Sequence, residues 1–156
     1  MKNYAFIDAQ NVHKGIKSLG WEIDWPRFRI YLRDKYSVET AYVFIGYIQS
    51  NQVLYSMLQK AGYVLVFKPI INDGDGKTKG NCDADLVLHA VTEKYDKSVI
   101  VTSDGDFYSL IRYLRESAKL EMVLSPYIDT CSKLLKKEAK DRINYMDKLR
   151  GKIGRK

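Results

Sequence analysis

Cysteine is scarce in this chain. Cys82 and Cys131 are the only two, far apart and without C-x-x-C spacing. That argues against a disulfide framework and a thiolate zinc site, and makes a reducing cytoplasm the expected compartment. Long hydrophobic runs are missing too: none approaches the length of a membrane span. The apolar stretch before Asp8 is too short, and Met1-Lys2-Asn3 too polar, for a signal peptide, so neither a leader nor a membrane association is expected. No G-x-x-x-x-G-K-[ST] or G-x-G-x-x-G is present, so no nucleotide cofactor is indicated. Internal repeats and linkers are absent as well.

What is present is an ordinary globular composition. The 156 residues are 46% hydrophobic and 29% charged, enough for one domain with a real core. The net charge of +7 is unevenly placed. Lys133–Lys156 holds ten Lys/Arg against three Asp/Glu, whereas residues 1–132 hold 16 of each. The excess therefore sits wholly in the C-terminal segment, where Lys148, Arg150, Lys152, Arg155 and Lys156 form a candidate contact for a polyanion such as nucleic acid. A solvated helix with a frayed, disordered end is the competing reading.

Apolar runs and helical periodicities alternate along the chain. Strands are expected at Tyr4–Ile7, Glu39–Tyr47, Tyr63–Phe67, Ser98–Thr102 and Lys119–Leu124. Helices are expected at Asn11–Leu19, from Asp24-Trp25-Pro26 to about Lys35, at Asn51–Ala61, Asp83–Tyr95 and Asp106–Ser117, and from about Asp129 to Arg150, either continuous or broken near Lys137. Leu86, Val87, Ala90 and Val91 form the expected inner stripe of the Asp83 helix. Lys68–Asn81 has no periodicity and reads as a loop around Asp73-Gly74-Asp75-Gly76-Lys77. The alternation predicts an α/β domain: three Rossmann-like layers with a central, mostly parallel sheet flanked by helices, followed by a helical basic segment. Residues 1–126 are assigned to the domain and 127–156 to a C-terminal helix and basic tail packed on it or extending from it.

Ligands of open parallel sheets bind beyond the carboxyl ends of the strands. Asp8 ends the first strand, and Asp104 and Asp106 follow strand 98–102. Asp83 and Asp85 open a helix that starts at the same edge. Acids brought together in this way repel one another and call for a cation, and an oxygen-only donor set suits Mg²⁺ or Mn²⁺. Gly105 would let the chain turn so that Asp104 and Asp106 aim at one point. Asp83 and Asp106 also read as helix N-caps. Asp8, followed by Asn11, has no obvious structural duty.

The segments FIDAQN (6–11), KGNCDADLVLHA (79–90) and VTSDGDFYSL (101–110), in this order, resemble the NYN domain, a PIN-like nuclease family, and within it the bacterial LabA-like branch. The resemblance covers roughly residues 3–125. It implies a PIN-like fold and a metal-dependent ribonuclease with an acidic pocket at the carboxyl edge of the sheet. By motif, Asp8, Asp83, Asp104 and Asp106 match the catalytic, metal-binding acids. Asn11 matches the polar partner of Asp8, Ser103 the hydroxyl before the acids, and Lys79 with Gly80 the loop that introduces Asp83. His89 is a departure, standing where related sequences often carry an acid. The substrate implied is RNA, single-stranded by expectation, and a homodimer is compatible with the reading.

Hydrolysis of a phosphodiester agrees with the residues themselves, because a phosphate backbone approaches clustered carboxylates only through a metal. Asn11 and Ser103 would orient a ligand, and Lys79 would neutralise phosphate charge. The alternative is a non-catalytic RNA- or protein-binding module of the same fold. A phosphatase using Asp8 as nucleophile fits poorly, since Gln10 stands where the general acid is needed.

Overall fold

The structure, a computed structural model, describes residues 2–69, 71–72, 78–79 and 83–156, with 69, 71–72 and 78–79 as backbone. Six strands form one parallel sheet: β1 (Asn3–Asp8), β2 (Val38–Tyr47), β3 (Tyr63–Pro69), β6 (Ser98–Val101), β7 (Leu120–Ser125) and β8 (Ile143–Tyr145), in the order β3-β2-β1-β6-β7-β8. Every pairing in it is parallel. Two short strands, β4 (Ile71–Asn72) and β5 (Thr78–Lys79), pair antiparallel apart from this sheet. The loop expected over Lys68–Asn81 therefore contains a small ladder, too short to leave a periodic signal. Residues 73–77, its expected glycine-rich centre, lie outside the described residues, as do Gly80 and Cys82.

Alternation along β1 divides the core into two layers. Ala5 and Ile7 face α1 (Ala9–Ser18), α2 (Trp25–Tyr36) and α3 (Gln52–Lys60). Tyr4 and Phe6 face α4 (Asp83–Thr92), α5 (Tyr108–Glu116) and α6 (Lys133–Ala139). The central strands are covered on both sides and hence continuously apolar, as parallel strands are. Asp24 caps α2 by accepting from the Arg27 amide at 3.1 Å, with Pro26 in the first turn. On α4 the inner stripe is narrower than its periodicity suggests. Leu86 and Ala90 are buried, while Val91 is exposed, because the helix turns only one edge to the sheet.

The C-terminal part departs most from expectation. The helical stretch expected from Asp129 to Arg150 breaks after Ala139, close to the break allowed for near Lys137, and does not resume as a long helix. It becomes α6, the strand β8 and a last turn of helix, α7 (Arg150–Ile153). Ile143-Asn144-Tyr145 is too short to declare itself as a strand, and only the free edge of β7 makes it one. Nor is the chain end frayed. Ile153 is fully buried against the α1–α2 layer, Gly154 bridges to Ile23, and Arg27 donates to the Gly151 and Gly154 carbonyls at 2.6 and 2.8 Å. A methyl at Gly154 would lie 2.6 Å from the Arg150 carbonyl oxygen. Arg155 pairs with Glu22 at 3.0 Å, both largely exposed. No helix among the described residues is long and apolar enough to cross a membrane.

The end of the chain should therefore behave as core. Ile153→Ala is expected to cost about 2–4 kcal/mol of unfolding free energy in urea titration. Arg155→Ala, which breaks only a solvated ion pair, should cost less than about 1 kcal/mol. Equal, small effects from both would mean that the C-terminal turn is not part of the folded unit.

Candidate metal centre

β1 is the strand at which the sheet changes direction. The chain first builds outward through β2 and β3, then returns to add β6 on the other side of β1. The crevice between the ends of β1 and β6 is thus the switch point, where neighbouring connections diverge and leave room for a ligand. Register carries the argument to individual residues. Ile7 pairs with Val101, so Asp8 and Thr102 emerge side by side. The Thr102 hydroxyl donates to Asp8 Oδ2 at 3.2 Å and accepts from the Asp104 amide at 3.1 Å. Asp8 also caps α1, with Oδ1 accepting from the Asn11 amide at 3.4 Å. Asn11 in turn holds the neighbouring loop. Its Oδ1 accepts from the Ser103 amide at 2.8 Å and from the Ser103 hydroxyl at 2.9 Å.

Asp83, the first residue of α4, joins Asp8 and Asp104 at this crevice. One carboxylate oxygen from each lies within 4.8 Å of the others, and all three side chains are partly buried. The electrostatic cost is visible at Asp8 and Asp83. Burial is the main cause that pushes Asp8 from 3.8 up to about 6, with Asp83 and Asp104 adding repulsion. The Asn11 and Thr102 hydrogen bonds oppose that rise. Asp83 is raised by burial first, then by Asp104 and Asp106, against the pull of Lys68.

The remaining expected residues divide into those near this group and those apart from it. Asp106 is exposed and lies outside the group of three. Its amide donates to Asp104 Oδ1 at 2.9 Å, so Asp104, not Asp106, caps the turn that leads into α5. Gly105 does not adopt a positive φ. It is small because a methyl there would collide with Ser132 Oγ. The glycine thus serves the packing of the 130–132 turn, and does not aim Asp104 and Asp106 at one point. Asp85 lies partly buried on α4, outside the group. His89 packs on the Tyr42 and Phe44 rings, with centroids 5.5 and 5.4 Å away, and its Nδ1 lies 3.4 Å from Glu93. It is not among the clustered ligand atoms. The side chain of Lys79 lies outside the described residues. The tail residues Lys148, Arg150, Lys152, Arg155 and Lys156 are exposed.

An NYN domain model matches residues 3–146. The chain belongs to the NYN family. NYN domains form part of the PIN-like nuclease superfamily, and the match spans nearly the whole chain, through α6 and β8. Among solved structures, a Vibrio parahaemolyticus protein of unknown function is similar, with a TM-score of 0.75 at 22% identity, over 93% of this chain and 92% of that one. That likeness supports the fold alone. No curated protein matches the chain.

Two residues of this NYN centre escape a reading of motifs. Thr102 is fully buried and links Asp8 to Asp104. Its signal was its place, the last residue before S-D-G-D at the end of a buried strand. Lys68, at the end of β3, is the cation felt by Asp83. Only the sheet order brings it there.

The raised Asp8 pKa has a signed consequence. The folded state holds the Asp8 proton more tightly than the unfolded chain does. The group's stabilising contribution is thus fully present below about pH 4 and is lost as pH rises through about 6. Without metal, Asp8→Asn should therefore be more stable than wild type at pH 7.5, by ~1–3 kcal/mol, and the difference should shrink towards zero near pH 4. Paired thermal melts across this range in EDTA check it. A variant less stable than wild type at pH 7.5 would mean that the carboxylate is chiefly a helix cap.

Proposed function

We propose that this NYN protein is a metal-dependent ribonuclease that hydrolyses phosphodiester bonds of single-stranded RNA at the Asp8–Asp83–Asp104 crevice. The observation that carries the reading is the convergence of three partly buried carboxylates, two of them, Asp8 and Asp83, with raised pKa values, on the switch point of a nuclease-family fold. The donor set fits the group implied: three carboxylates, without sulfur or imidazole, suit a hard cation, Mg²⁺ or Mn²⁺. Bound there, such an ion supplies Lewis acidity that activates water and offsets phosphate charge.

The chain's own groups divide the remaining work. Asp8 is held in orientation by the Thr102 hydroxyl and the Asn11 amide. Asp104 spends Oδ1 on the Asp106 amide, so we assign its other oxygen to the cation. Asn11 spends its carbonyl on Ser103, and we assign its NH₂ to a phosphate oxygen or a water. Ser103 acts through Asn11, fixing the amide's orientation. Asp106, on the solvent side, is assigned the part of an outer ligand or of proton acceptor from water. Lys68 supplies positive charge beside Asp83, and Lys79 is retained as a further phosphate contact.

Turnover of end-labelled single-stranded RNA in Mn²⁺ or Mg²⁺, against EDTA, tests the reading. Asp104→Asn should abolish cleavage, and millimolar Mn²⁺ should raise the melting temperature of wild type but not of Asp8→Asn. RNA retained without turnover would favour the non-catalytic binding module instead.

The basic tail is assigned sequence-independent phosphate contacts through Lys148, Arg150, Lys152 and Lys156, with Arg155 already paired to Glu22. Because the tail is folded, substitution is the proper probe and truncation is not. Changing these four to alanine should flatten the dependence of log affinity on log salt by up to ~0.7 per lost contact. An unchanged slope in filter binding would make the tail a bystander.

A further inference from the structure

A polar groove of about 430 Å³ lies beside the carboxylate crevice and shares Asp104 with it. One wall is a single face of α1, where Asn11, Lys14 and Ser18 recur at helical spacing, while Val12 and Ile16 turn into the core. The other wall is the 130–132 turn. Two close contacts fix the width. Gly15 seats α1 on Pro126, where a methyl would lie 2.7 Å from the proline Cβ, and Gly105 packs against Ser132. The groove is therefore built into the fold.

Its lining has a definite chemistry. No aromatic side chain lines it among the described residues, so a base finds nothing there to stack on. Among the described residues, Lys14 and Asp104 are its only charged residues. Lys14 is exposed and has no ion pair among the described residues. Ser132 Oγ accepts from the Leu134 and Leu135 amides, at 3.2 and 3.5 Å, which leaves its proton to donate outward. Ser18 Oγ donates to the Gly15 carbonyl at 2.6 Å, which leaves its lone pairs to accept. Donors and a cation suit phosphate oxygens, and a hydroxyl acceptor suits a sugar hydroxyl.

We infer that this groove carries the sugar-phosphate backbone of the RNA nucleotide adjoining the scissile phosphate, with Lys14 paired to that nucleotide's phosphate. The inference rests on the ribonuclease reading of the neighbouring crevice. It adds a direction to the strand, from the carboxylates along α1 towards Ser18. It also makes recognition at this position indifferent to base identity, because only backbone chemistry is met there.

Binding of a fluorescein-labelled uridine decamer in Ca²⁺, by anisotropy across a salt series, tests this, with Mn²⁺-dependent cleavage of the same decamer as the second readout. Lys14→Ala should weaken binding about tenfold at low salt and flatten the log–log salt slope by about 0.7, the value of one single-strand phosphate contact. Lys14→Arg should restore both, and the Mn²⁺-induced rise in melting temperature should persist in Lys14→Ala, since the carboxylates are untouched. In a titration followed by NMR, the amides of Ser18, Thr130 and Ser132 should shift with the decamer in wild type and not in Lys14→Ala. If wild type binds and cleaves but Lys14→Ala matches it in affinity and slope, or the shifts map elsewhere, the groove is overturned while the ribonuclease reading stands. If the decamer occupies the groove in a Lys14-dependent way but is never cleaved, the ribonuclease reading fails and the groove remains. If the decamer does not bind at all, the groove is overturned as an RNA site.

Discussion

The parallel pairing of β1 with β6 is the constraint on which the rest of this molecule depends. It joins residues far apart in sequence, Ile7 with Val101, and its register sets what emerges at the carboxyl edge. A slip by one residue would invert the faces of β6, sending Val99 and Val101 to the wrong core layer. It would also part Thr102 from Asp8. The strands are buried on both sides, so the packing of two cores enforces the register that aligns the polar atoms.

That enforcement matters because the edge is electrostatically unfavourable. Three carboxylates share a crevice, and burial and the neighbouring negative charges both favour the protonated forms of Asp8 and Asp83. Free acids on a flexible loop would relax by moving apart. Here each is tied: Asp8 ends a central strand, Asp83 opens a helix, and Asp104 is drawn in through its own amide to Thr102. Thr102 and Asn11 work as a pair of braces, one spanning the strand ends and one joining α1 to the following loop. Strain retained at a site in this way is repaid by hydrophobic packing elsewhere, and it preorganises the carboxylates for a cation.

The C-terminal segment shows the same economy in reverse. Lys148, Arg150, Lys152, Arg155 and Lys156 face solvent, while Met146 and Ile153 are fully buried in the α1–α2 layer. Arg27 satisfies the last carbonyls, so the chain end closes the layer against which α1 is seated. α1 carries Asn11 and Lys14, and the tail thus bears on the crevice through packing, whatever contacts its lysines make.

Much of this was legible in the sequence. The alternation of apolar runs and helical stripes determined an α/β domain with a parallel sheet, because such strands must be covered on both faces. The D-x-x-N and S-D-G-D segments marked two strand ends, since carboxylates do not follow buried strands without a task. The chain also declared its caps at Asp24 and its stop at Gly62, where local chemistry suffices. Tertiary structure alone decided the rest. The strand order made β1 the switch point, selected Asp8, Asp83 and Asp104 as the converging group, left Asp106 outside it and brought Lys68 near. It turned Ile143–Tyr145 into a strand and Ile153 into core. Such outcomes depend on contacts between distant segments, whose energies are collective and leave no period or spacing in any one stretch of sequence.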